Sequence, residues 1–313
     1  MGKRIAIVWN PSKTDKDPLE AALADALGDE STADVRWFET TEQDPGQGPA
    51  QAALGAGTDL LIVAGGDGTV RAVAEHLAEV SAEVDLAIVP LGTGNLFARN
   101  LDVPIDDVPA AFERAIDGEA RPVDVGWVER ESGGRTERHA FVVMVGFGLD
   151  AQMIAETDED LKDKAGWLAY VESLGRAVSA SDVVRFTVTT DDRPAQTAEG
   201  HTFLIANCGT LQGGLTLVPD ADPSDGELDL LVLSAEGLAQ WLATMKSMVW
   251  DNGLKRLIRN HDEVADTDTL KHGRASRVAV ALPEALPFEI DGEEAGEIRE
   301  FTVTIQPSAI RVR

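Results

Sequence analysis

The sequence predicts an α/β fold, an N-terminal Rossmann-like parallel sheet followed by a mainly antiparallel β domain, and three observations carry this. Up to about residue 119, short unbroken apolar runs alternate with Ala-, Leu- and Glu-rich stretches. That is the pattern of strands buried on both faces by crossover helices. After Arg121-Pro122 the apolar runs are separated by Gly, Asp and Pro turns, the pattern of antiparallel pairing. Finally, 313 residues exceed a comfortable single core and suit two domains. The boundary is placed between an α/β domain over 1–123 and a β-rich domain over 124–313, with the last strand free to return to the first domain.

Taken in order, the first domain's strands are expected at Arg4–Trp9, Ala33–Phe38, Asp59–Ala64 and Asp85–Val89, with helices near Pro18–Leu27, Ala50–Ala56 and Val70–Val80. The turn-rich stretch Thr40–Pro49 reads as a surface connection. In the second domain, strands are expected at Ala140–Val145, Val183–Thr189, Thr202–Ala206, Leu228–Leu233, Arg277–Ala281 and Phe301–Ile305. Two helical stretches, Leu161–Val178 and Leu238–Arg259, interrupt it. No internal repeat or low-complexity tract is present.

Composition narrows the function. Fifty-five Asp and Glu against 27 Lys and Arg give a formal charge of −28. Phosphate-backbone binding wants a basic footprint, so nucleic acid is not an expected partner. One cysteine, Cys208, permits no intrachain disulfide. No apolar stretch approaches the roughly 18 residues of a membrane span, and the apolar run at Ile5–Trp9 is too short for a signal-peptide core. The expected location is cytoplasmic.

The most informative segment is Leu60–Ala64 followed by Gly65-Gly66-Asp67-Gly68-Thr69 and the helical Val70–Val80. Glycines let a backbone approach an anion, and a helix N-terminus offers free N–H groups and a favourable dipole, so a strand–glycine turn–helix suits phosphate. Asp67 is placed to reach Mg²⁺. The bland reading is a helix cap by Asp or Thr. A second strand, Asp85–Val89, ends in Pro90-Leu91-Gly92-Thr93-Gly94-Asn95-Leu96-Phe97-Ala98-Arg99. In a doubly wound sheet both turns lie at the carboxyl ends of their strands, where ligands bind. Neither turn is a dinucleotide fingerprint, since Phe97 stands where a third glycine would be, and no P-loop occurs.

The pair Gly65–Thr69 and Pro90–Arg99 resembles the signature of the diacylglycerol kinase catalytic domain family, which includes soluble bacterial lipid kinases and sphingosine kinases. The resemblance extends along most of the chain, through Asn10-Pro11, Asp124-Val125-Gly126, Gly146–Ala151, Lys164–Tyr170, Asn207–Gly214, Asp225–Asp229 and Asp291-Gly292-Glu293. It implies an active site between the domains and an ATP- and Mg²⁺-dependent transfer of the γ-phosphate to diacylglycerol or a related lipid alcohol. It assigns proton acceptance to Asp291, with Glu293 as a supporting carboxylate. Asn10, Gly65, Gly66, Asp67, Gly68, Thr69, Gly92, Thr93 and Asn95 fall in the nucleotide crevice, and Asp67 and Asp124 in the network around the catalytic Mg²⁺. Asp225, with the carbonyls of Asp222 and Glu227, matches a second, structural Mg²⁺ site. The chain departs from many bacterial relatives at Leu96, where they carry Asp. Read without the family, Asp225-Gly226 and Asp291-Gly292 are hairpin turns, and the two readings are compatible.

Leu238–Arg259 carries Lys246, Lys255, Arg256 and Arg259 against Asp251, with Trp241 and Trp250 among apolar residues at helical spacing. It is a candidate for peripheral contact with the inner membrane surface; its competing reading is a core-packing helix. A homodimer is left open. The five histidines show no zinc-site spacing. The alternatives to a lipid kinase are an NAD kinase-like enzyme and a catalytically impaired nucleotide- or lipid-binding protein. An NAD kinase would add an Asn-Glu pair and a Gly-Ser-Thr-Ala-Tyr segment, and this chain has neither.

Overall fold

The computed structural model describes residues 2–28, 32–132, 135–148, 183–211, 216–233 and 270–313. The expected helices at Leu161–Val178 and Leu238–Arg259 lie outside these residues, as do parts of the matching stretches, 149–151, 164–170 and 212–214.

Four parallel strands, β1 (Arg4–Trp9), β2 (Asp34–Glu39), β3 (Leu60–Gly65) and β4 (Asp85–Pro90), stand in the order β4-β3-β1-β2. Residues of β3 alternate between two cores. Leu61 and Val63 face α2 (Gln47–Gly55) and α3 (Asp67–Glu79), packing with Ala50, Val73 and Leu77. Leu60 and Ile62 face α1 (Lys16–Leu27) and α5 (Val108–Asp117), packing with Leu19, Leu23 and Phe112. Each fully buried Leu or Ile contributes roughly 1.5–3 kcal/mol, which is why these strands are apolar on both faces.

α4 (Leu96–Asn100) and α5 were not expected. Asp107 caps α5, accepting from Ala110 N at 3.0 Å, and Pro109 falls in the first turn.

The rest is mainly antiparallel. β5 (Arg121–Ser132) and β6 (Arg135–Phe141) form a hairpin, and β7 (Met144–Phe147), β10 (Thr202–Ala206), β11 (Leu228–Leu233) and β12 (Leu270–Ala275) form a ladder. β8 (Val184–Thr190) and β9 (Gln196–Gly200) pair beside it. The long hairpin β13 (Arg277–Ile290) and β14 (Glu293–Val312) is the spine. Its core holds Phe141, Phe147, Phe186, Phe203, Phe288 and Phe301. The end of β14 pairs in parallel with β4, Arg311 with Asp85 and Val312 with Leu86. Asp85 anchors it through Arg311 at 3.0 Å and Arg313 at 2.9 Å. Among the described residues no helix is long and apolar enough to cross a membrane.

Candidate functional site

The carboxyl ends of β3 and β4 face the turn between β13 and β14 across a cleft of about 560 Å³. One wall is built by the glycine turns. β3 runs into Gly66, and α3 opens at Asp67 with no side-chain cap at Gly66, so the helix N-terminus faces the cleft as an anion site. The turns touch: a Cβ built on Gly92 would stand 2.8 Å from Gly66 Cα, and one on Gly94 2.8 Å from Asp67 Oδ2. Only glycine allows this approach, and the cradle that a side chain would fill is suited to phosphates.

Asp67 fastens one turn to the other. Its Oδ2 accepts from Asn95 N at 2.7 Å and its Oδ1 from Leu96 N at 2.6 Å. Burial pushes this carboxyl up, the two amides pull it down and the charge of Glu293 pushes it up again; the net direction is upward. Asn95, in the left-handed region at φ 47°, closes its own turn with Oδ1 on Gly92 N and Nδ2 on Gly92 O. Asn10 joins the first strand's turn to α3: its Nδ2 donates to Thr69 Oγ1 at 3.2 Å while its Oδ1 accepts from Ser12 N and Oγ.

The opposite wall presents Asp291. The two-residue Asp291-Gly292 turn has φ of 51° and 80°, the doubly left-handed form that Asp-Gly favours in a hairpin. The hairpin-turn reading therefore holds, and the turn lines the cleft. The carboxylate is buried and accepts three backbone amides: Val142 N at 3.0 Å on Oδ2, and Val143 N at 2.8 Å and Met144 N at 3.0 Å on Oδ1. Burial pushes its pKa up to about 6, against the opposing pull of Arg71 and the three amides. A carboxylate has about four lone-pair sites, so three amides leave one without a backbone partner.

Asn10, Gly66, Asp67, Gly68, Thr69, Gly92, Thr93, Asp291 and Glu293 all line this cleft. Gly65 and Asn95 do not line it but shape it: a Cβ on Gly65 would stand 2.8 Å from Thr69 Cβ. Lys13, Arg71 and an apolar patch of Met144, Val145, Leu204 and Leu211 line it as well and were not expected. Lys13 has a faint sequence signal, standing three residues after Asn10. Arg71 has a better one, four residues after Asp67 on the same helix face. Leu96 is buried, lines the cleft beside Gly94 and leaves Asp67 without a second carboxylate at that position.

The remaining expected acids lie outside this cleft. Asp124 does not line the cleft; both its oxygens are taken by backbone amides, Gly226 N at 2.7 Å and Ser308 N at 2.6 Å. The Asp222–Glu227 turn is also held by protein groups. Asp222 Oδ1 accepts from Ser224 N and Oγ, the Asp222 carbonyl from Asp225 N, and Asp225 Oδ1 from Glu227 N at 2.9 Å. Arg274 supplies positive charge there, 3.6 Å from both Asp225 and Glu227 and 3.1 Å from Asp229. Among the described residues no group of three or more His, Cys, Asp or Glu side chains is arranged around one metal position. Asp67 also accepts two backbone amides, but unlike Asp124 it lines the cleft at the phosphate cradle, so it and Glu293 beside it are the residues that would hold a Mg²⁺ bound with phosphates.

Residues 4–128 match the model of the diacylglycerol kinase catalytic domain, and residues 143–313 that of the YegS C-terminal NAD kinase beta sandwich-like domain. The chain is 27% identical to the diacylglycerol kinase of Bacillus subtilis, covering 94% of this chain and 91% of that one. It is 30% identical to a Pseudomonas aeruginosa protein named "Probable lipid kinase YegS-like", covering 99% and 93%. A solved diacylglycerol kinase structure from Bacillus anthracis superimposes with a TM-score of 0.68 at 21% identity, covering 99% of this chain and 96% of that one, a likeness of fold.

Proposed function

We propose, from the premise that this chain belongs to the lipid-kinase family of diacylglycerol kinases and YegS-like proteins, that it transfers the γ-phosphate of ATP to the hydroxyl of diacylglycerol or a related lipid alcohol. One observation carries the reading: a glycine-built phosphate cradle and a buried carboxylate with one open lone pair face each other across a cleft that also has an apolar patch. Phosphoryl transfer needs the phosphates held, their charge offset and the attacking hydroxyl's proton accepted.

The glycine turns and the α3 N-terminus hold the phosphate chain, with Asn10 and Thr69 at its edge. Met144, Val145, Leu204 and Leu211 offer the apolar patch on which an acyl chain lies. The lipid oxygen attacks the γ-phosphorus, its bond to the bridging oxygen of ADP breaks, and the hydroxyl proton passes to Asp291. Mg²⁺, when bound at Asp67 with Glu293 nearby, offsets phosphate charge. Asp291, with its amides, stays largely ionised at pH 7 and still has enough affinity to take the proton.

The test is incubation with labelled ATP, Mg²⁺ and extracted lipids, with mass identification of the product. A phosphorylated lipid alcohol is expected, and Asp291→Ala should lower turnover by about 10²–10⁴-fold. Full activity in that variant removes Asp291 as proton acceptor. Nucleotide binding without turnover on any lipid alcohol identifies a binding protein instead, the reading favoured by Leu96.

A further inference from the structure

Arg71 belongs to neither glycine turn, yet it is the cation that reaches across the cleft. It sits on α3, one helical turn after Asp67. Its Nη1 donates to the carbonyl of Ile290 at 2.8 Å, and its Nη2 pairs with Glu293 Oε2 at 2.5 Å. Those two acceptors flank Asp291-Gly292 on either side. The guanidinium therefore grips the hairpin turn at both ends while its backbone belongs to the helix that opens the phosphate cradle.

The other oxygen of Glu293 closes the loop. A Cβ built on Gly68 would come within 2.7 Å of Glu293 Oε1, so the carboxylate rests on the first turn of α3. Held by Arg71, Glu293 stays against that turn, where its charge also bears on Asp67. The Arg71 side chain is 21% exposed and that of Glu293 52%, so solvent screens the ion pair, and the better-shielded half of the fork is the bond to the Ile290 carbonyl. Both of these bonds point to the hairpin rather than to the phosphate cradle.

We propose that Arg71 is a positioning residue for phosphoryl transfer: it latches the Asp291–Glu293 hairpin to α3, so that proton acceptor and phosphate cradle share one frame. This rests on the lipid-kinase reading of the site. It separates Arg71 from a phosphate-binding role, because a latch governs alignment in the reacting complex more than affinity for nucleotide.

The experiment compares wild type, Arg71→Lys, Arg71→Gln, Glu293→Gln and the double variant Arg71→Gln/Glu293→Gln in steady-state kinetics and urea unfolding. Arg71→Gln is expected to lower kcat about 10–100-fold with KM for ATP within about threefold. Arg71→Lys keeps the charge but not the fork and should recover part of the loss. The double variant should lose less than the two single losses combined, because both substitutions break the Arg71–Glu293 contact. A kcat within about twofold of wild type in Arg71→Gln, or a raised KM for ATP with kcat intact, overturns the latch; the second outcome makes Arg71 a phosphate ligand. If wild type phosphorylates no lipid alcohol, the functional reading falls by itself, and urea midpoints then judge the contact. Non-additive losses support the latch and additive ones overturn it.

Discussion

The Asp291 carboxylate meets three backbone amides in a buried pocket, and its protonation ties stability to turnover. Burial and the amides act in opposite senses, and burial prevails, so the native carboxyl keeps its proton up to about pH 6 against an ordinary 3.8. Between those values the native state binds more protons than the unfolded chain. Stability is therefore expected to fall as pH rises through that window and to level off above it. The difference in urea unfolding free energy between wild type and Asp291→Asn, measured from pH 4 to 8, should change across pH 4–6 and flatten above 7. Turnover moves the other way, because a proton acceptor must be ionised. The acid limb of kcat should have an apparent pKa near 6. A limb near 4 would detach the limb from Asp291. Lys13 gives a second prediction. It lines the cleft near Gly66 and, among the described residues, makes no ion pair. Lys13→Met should weaken ADP binding about tenfold in calorimetry, while an unchanged affinity places its ammonium away from the phosphates. Asp67 was legible in the sequence because its glycine turn fixes its local geometry. Asn10 and Asp291 were singled out through the family resemblance, since Asn10-Pro11 has no glycine and Asp291-Gly292 alone reads as a hairpin turn. Lys13 and Arg71 were not, because a lone cation has no spacing signature until the fold shows what it faces.

Among the elements, the parallel strands were the most legible. Being buried on both faces, β1, β3 and β4 read as unbroken apolar runs, and their observed bounds lie within a residue of those expected. Strands covered on one face were harder to read. β9, Gln196–Gly200, carries almost no apolar pattern, and its place comes from pairing with β8. The expected strand Ala140–Val145 is instead the junction of β6 and β7, broken at Val142-Val143, whose amides turn inward to Asp291. α5 escaped notice because its buried stripe is only Ala111, Phe112 and Ala115. Asp124 shows how one carboxylate can organise an element. β14 breaks register with β5 between Gln306 and Ile310, and Ser308 there takes a left-handed φ of 50°. Asp124, 1% exposed, accepts the Ser308 amide with one oxygen and the Gly226 amide with the other. Asp124→Ala leaves two amides without their charged acceptor and should cost about 2–4 kcal/mol in urea unfolding. ADP affinity should stay within about twofold of wild type. A large loss of ADP affinity without loss of stability would return Asp124 to the nucleotide site.

For the whole molecule, the formal charge of −28 is the dominant long-range force. A few acids are offset locally: Asp85 by Arg311 and Arg313, Glu293 by Arg71, and Asp225, Glu227 and Asp229 by Arg274. These pairs use arginine, as do nearly all ion pairs among the described residues, with Lys16–Glu20 the exception. That follows the composition, 19 Arg to 8 Lys, and suits the forked geometry of a guanidinium. The remaining carboxylates repel one another through solvent, at a cost that falls as the screening length shrinks from about 10 Å at 0.1 M salt to about 3 Å at 1 M. Two effects then compete in KCl: weakened ion pairs lower stability, and weakened repulsion raises it. Exposed pairs contribute about 0–1 kcal/mol each and are few against the excess of acids, so relief of repulsion should win. The thermal midpoint is expected to rise by several degrees between 0.1 and about 2 M KCl. A flat or falling midpoint would mean that the arginine pairs, including those that fasten β14 to β4, already balance the field.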